Sequence, residues 1–64
     1  MNITIHMIGG GRLGLGLEAD GLEDVADILR RERGLLGDAL PNDDGEVLGR
    51  VLVPAHRIQL VTEG

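Results

Sequence analysis

The chain has 64 residues, a net charge of −5, no Phe, Tyr, Trp or Cys, and neither Lys nor Ser, while 42% of its residues are hydrophobic and eleven are Gly. These absences exclude Schiff-base, thiolate and Ser-His-Asp chemistry, disulfide staples and a Cys-based zinc site. What remains is one small domain, residues 1–64, with a core built from aliphatic side chains alone.

Below about 70–80 residues a single core supplies only about 3–5 kcal/mol. Aromatic side chains, which bury about 150–250 Å² each, are missing. Packing between subunits is therefore predicted to supply the margin, and the chain is expected to be a homo-oligomer. Its acidity opposes unspecific attraction to nucleic acid or anionic lipid. The first residues lack the basic region and long apolar core of a signal peptide, and no apolar run is long enough to span a bilayer. The expectation is a soluble, cytoplasmic protein.

Asn2 to Ile8 alternate with period two, Ile3, Ile5 and Met7 against Thr4, His6 and Ile8, which predicts a strand. Gly9, Gly10 and Gly11 mark a tight turn. From Arg12 to Ala19 the alternation continues, with Leu13, Leu15 and Leu17 on one face and Gly14 and Gly16 on the other, so the two segments read as a hairpin. A strand that presents glycine on one face implies a close approach there, by a packed helix, a neighbouring subunit or a ligand. These five residues are the candidate interface.

Asp20 opens a helix. Asp20 and Glu23 have capping-box spacing, and Leu22, Val25, Ala26 and Leu29 recur at helical intervals, with Ile28 widening the stripe. Acids sit early and Arg30, Arg31 and Arg33 late, which suits the helix dipole. Asp27 and Arg31 are spaced to pair, and Gly34 reads as the stop. Leu35 to Leu40 has strand length. Pro41 to Gly45 form a turn cluster, and Glu46 to Val53 read as a strand with Val47, Val51 and Val53 opposite Leu48 and Leu52. Pro54 interrupts it. Ala55 to Arg57 read as a 3₁₀ turn. Ile58 to Glu63 form a last strand, with Ile58, Leu60 and Thr62 opposite Gln59, Val61 and Glu63. The predicted fold is α+β: a small bent antiparallel sheet or partly closed barrel, in the order β-β-α-β-β-β, with one helix.

Few motifs carry chemistry. Gly9, Gly11 and Gly14 match a dinucleotide-binding spacing, but a period-two segment follows where a helix would have to start. The acids around Gly45 lack the later Glu that a helix-loop-helix calcium site needs, since position 51 is Val. His6, on a strand, reads as a satisfied or interface histidine. His56, in an irregular spot, is the candidate for ligand contact. No metal or cofactor is expected, and a non-enzymatic protein is the reading.

Arg30, Arg31, Arg33, Arg50 and Arg57 are the candidate anion or RNA contacts. In strand count and length the chain is similar to Sm-like and other SH3-like small barrels, with no sequence motif of those families present. That similarity implies an alternative, an RNA-binding ring with Arg-lined rims. The absence of aromatics for base stacking disfavours it. The preferred expectation is a non-catalytic module that assembles with itself or binds another protein, away from membranes.

Overall fold

The computed structural model describes residues 1–41, 45 and 48–64. The chain runs through β1 (Asn2–Met7), β2 (Arg12–Gly16), α1 (Leu22–Glu32), β3 (Gly34–Ala39), β4 (Arg50–Pro54), a 3₁₀ turn η1 (Ala55–Arg57) and β5 (Ile58–Glu63). The five strands form one antiparallel sheet in the order β4-β3-β2-β1-β5. This is the expected α+β architecture. The predicted turn cluster at Asn42, Asp43 and Asp44 and the predicted strand start at Glu46 and Val47 lie outside the described residues. Among those described, β4 begins at Arg50.

In the β1–β2 hairpin Ile3 faces Leu15 and Ile5 faces Leu13, so the two apolar stripes meet on one side. The turn needs its glycines. Gly9, Gly10 and Gly11 all have positive φ, at 89°, 107° and 90°, a region that costs an L-residue roughly 1–2 kcal/mol.

The helix starts later than its capping-box spacing predicts. Gly21 is the N-cap, so Asp24 rather than Glu23 occupies the third helical position. Its Oδ2 accepts the Asp20 N–H at 2.9 Å, one residue before the N-cap, so the helix start is tied back by a carboxylate without a capping box. At the far end Arg33, not Gly34, takes the left-handed conformation, with φ 59°, and donates its N–H to Leu29 O. Gly34 has another task. A Cβ there would meet Val53 O at 3.0 Å, so glycine lets β3 approach β4. The Asp27 carboxylate reaches Arg30 at 3.1 Å rather than the expected Arg31. Val25 is buried and Ile28 and Leu29 pack on the core, while Leu22 and Ala26 stay exposed.

The sheet is strongly curled. Four strand spacings would separate its edges by about 19 Å if it were flat. Yet Pro54, on the edge strand β4, is joined to Ile58, on the opposite edge strand β5, through the three residues of η1. Even fully extended, that link spans only about 14 Å. Two hydrogen bonds seat η1: Ala55 N–H donates to Arg33 O at 2.9 Å, and Ile8 N–H donates to Arg57 O at 2.9 Å. β4 and β5 are not paired with each other, so the sheet remains open.

β5 departs from the predicted alternation. Leu60 lies opposite His6 while Ile58 lies opposite Met7, which leaves Gln59 as an extra residue. This bulge changes the face of the strand midway. Ile58 and Val61 turn inward, and Leu60 points out at 47% exposure. The core is formed by Ile3, Ile5, Leu15, Val25, Leu35 and Val53. At the far end of the sheet Gly64 N–H donates to Asn2 O at 3.1 Å, and the Met1 ammonium donates to Leu17 O at 2.7 Å.

Candidate interaction surface

Alternation along β2 decides what Leu13, Leu15 and Leu17 do. Leu15 has no exposed surface, and Leu13 and Leu17 pack against the same cluster. That face is therefore the interior of the subunit. On the opposite face the close approach implied by Gly14 and Gly16 is real, and the group that makes it is Leu40 of the same chain. Cβ atoms at these positions would meet the Leu40 side chain at 3.2 and 3.6 Å. Neither the helix nor a ligand is needed to explain those glycines.

The apolar surface that stays open lies further along the sheet. Leu36 of β3 and Leu52 of β4 are directly paired across the strands and are 56% and 68% exposed. Isolated exposed leucines are ordinary. Two in register, on a sheet face with nothing over them, form a patch. With Gly34, Gly37 and Ile28 of α1 they line a concave groove of about 730 Å³. Its charged lining is Glu18, Glu32, Asp38, Arg50 and the Met1 ammonium. Arg50 spans to Asp38 at 3.8 Å, and Glu32 lies 3.4 Å from Arg31. With Arg31 beside Glu32, the carboxylates and cations around this opening are balanced.

The five predicted Arg contacts do not form one cluster. Arg30, Arg31 and Arg50 are each shared with a carboxylate, Asp27, Glu32 and Asp38 respectively. All these pairs are exposed, so each contributes little to stability. The hydrogen bonds that seat η1 bring Arg33, His56 and Arg57 together with Ile8, and Arg12 stands opposite His6 just across the hairpin. Among the described residues Arg12, Arg33 and Arg57 make no ion pair within 4.0 Å. Ile8, whose N–H is held by Arg57 O, is 53% exposed. The charge pattern already carries this signal, because residues 1–17 and 47–62 contain no Asp or Glu.

The candidate ligand contact His56 is exposed on η1. His6 lies on the outer sheet face, where its Nε2 is 3.3 Å from Thr62 Oγ1. Among the described residues no three His, Asp or Glu side chains converge on a metal position, no polar side chain is buried, and no helix is long and apolar enough to cross a membrane. No protein-family model, curated protein or solved structure matches this chain.

Proposed function

We propose that the chain is a non-catalytic protein-interaction module that works as a homo-oligomer. The observation that carries this reading is the Leu36–Leu52 pair, left more than half exposed in register on the sheet. Covering a leucine fully is worth about 1.5–3 kcal/mol. Covering the surface that Leu36 and Leu52 still expose is thus worth about 2–4 kcal/mol per subunit before the cost of association, comparable to the about 3–5 kcal/mol that a core of this size supplies.

Sedimentation across micromolar to millimolar concentrations, followed by interference optics because the chain has no Trp or Tyr, tests this. The expected result is concentration-dependent association that Leu36→Gln with Leu52→Gln shifts to a folded monomer. A wild-type chain that stays monomeric and folded throughout overturns the reading. The alternative, an RNA-binding ring, has less support, since three of its five arginines already share their charge with carboxylates. It makes a separate forecast: absorbance at 260 nm in the purified peak, and salt-sensitive binding lost in Arg30→Glu or Arg31→Glu.

A further inference from the structure

The two edges of the open sheet are unlike. On β4, Ala39 N–H donates to Gly49 O, so alternation turns the backbone groups of Val51 and Val53 toward β3 and leaves those of Arg50, Leu52 and Pro54 outermost. Pro54 has no N–H to offer, and a proline and a charge are common means of blunting an edge. β5 contains no proline, and its one charge, Glu63, ends it. Gly64 N–H donates to Asn2 O, so Leu60 and Thr62 turn their backbone groups to β1, while those of Val61 and Glu63 face outward. No strand lies beyond them. The Gln59 bulge disturbs only the start of this edge.

We infer that the β5 edge pairs with the β5 edge of a second copy, antiparallel across a twofold axis through Val61; this rests on the assembly reading above. An antiparallel edge is its own complement. The twofold brings the N–H of Val61 to the carbonyl of the other Val61, and the second bond returns by symmetry. Charge chooses the register. A twofold at Glu63 would set two carboxylates directly opposite, and one at Thr62 would leave them diagonal neighbours. At Val61 each Glu63 instead lies opposite Gln59 of the other copy, toward the end of that strand preceded by Arg57, and Leu60 lies opposite Thr62. Neither Glu63 nor Arg57 has an ion-pair partner among the described residues. So short an edge makes few bonds against the freedom that two monomers give up. Copies already joined at the Leu36–Leu52 patch present several such edges, and contacts made together hold where one does not.

Amide hydrogen exchange, read residue by residue, tests the geometry without an edge variant. In the Leu36→Gln, Leu52→Gln monomer, Val61 and Glu63 should exchange freely while Leu60 and Thr62 are protected. In assembled wild type the Val61 and Glu63 amides should slow by at least about tenfold. Glu63→Pro deletes an outward N–H and spares the β1 ladder. It should stay folded by circular dichroism while its sedimentation mass falls to about half that of wild type or less. The natural chain has no Cys, so Leu60→Cys and Thr62→Cys chains, mixed under oxidised glutathione, report the register. Their close spacing predicts a disulfide-linked heterodimer and little of either homodimer.

Protection confined to the assembled state, a smaller Glu63→Pro assembly and the mixed disulfide are the supporting results. Val61 and Glu63 amides that exchange equally fast in both states, or a folded Glu63→Pro chain with wild-type mass, overturn the edge pairing and leave the assembly reading in place. Disulfides formed by Thr62→Cys alone overturn the Val61 axis. A monomeric wild type removes both readings.

Discussion

One methyl group at Gly37 strikes the thinnest seam of the sheet. β2 and β3 are held by only two paired positions, Leu15 with Ala39 and Gly16 with Asp38, supported by the Leu40 N–H to Gly14 O bond at 3.0 Å. A Cβ at Gly37 would overlap the Gly16 carbonyl oxygen and crowd Leu15 Cγ and Cδ1 at 3.1 and 3.2 Å. The first of these neighbours is backbone and cannot rotate away, so β2 must retreat by roughly 1 Å to regain ordinary contact. Overpacking costs about 1–3 kcal/mol, and each ladder bond weakened by the retreat adds about 0.5–1.5 kcal/mol. A total near 3 kcal/mol is a large share of the roughly 3–10 kcal/mol expected for a domain of this length. Gly37→Ala should therefore lower Tm by about 12–24 °C, read by far-UV circular dichroism at one protein concentration. Gly10→Ala is the control. Its φ is 107° and its surroundings are open, so it should cost only the roughly 1–2 kcal/mol of its backbone conformation. A Gly37→Ala melt no lower than that of Gly10→Ala would refute the seam argument.

Three further outcomes follow from the same geometry. Arg33→Gly relieves the left-handed C-cap at φ 59° and should raise Tm by about 3–6 °C, measured in the Leu52→Gln background so that association does not contribute. Asp24→Ala removes the carboxylate that accepts the Asp20 N–H and faces the positive end of α1, a loss of about 0.5–1 kcal/mol in denaturant titration. Leu15→Ala, at a site with no exposure, should cost about 2–5 kcal/mol, whereas Leu52→Ala, at 68% exposure, should change monomer stability by less than about 1 kcal/mol. Equal costs at the two sites would contradict the assignment of inner and outer faces.

Local patterning carried most of the secondary structure. The alternation of Ile3 and Ile5 against Thr4 and His6 survives intact in β1, and η1 and β5 have the bounds that Pro54 and the apolar run after it imply. What escaped is non-local. Nothing near Gln59 reveals that β5 gains a residue against β1, so period two wrongly kept Ile58 and Leu60 on one face. Gly34 looked like a helix stop because a C-terminal glycine usually is one, but the close approach of Val53 O claims it first. The glycine face of β2 correctly announced a neighbour, and only the fold could name it as Leu40. The arginines suffered similarly: the helix dipole explains Arg30 and Arg31, but the backbone bonds of Arg33 and Arg57 to Ala55 and Ile8 depend on where η1 is seated. Leu36 and Leu52 became a patch only once register set them side by side.

The placement of β5 against β1 has a consequence for how the molecule is made. The β1–β2 hairpin closes over residues 8–11 and the β3–β4 pair over residues 40–49, but the β1–β5 seam pairs residues as far apart as Ile3 and Glu63. Loop-closure entropy must be met before such contacts repay it. The seam is therefore expected to be the slow step, one that stopped-flow refolding of a β5 variant would reveal, and until it zips β1 keeps a bare ladder edge open to a neighbouring chain. Changes in elements formed before the seam, α1 among them, are then expected to act chiefly on the folding rate, and changes in contacts made only after it zips on the unfolding rate.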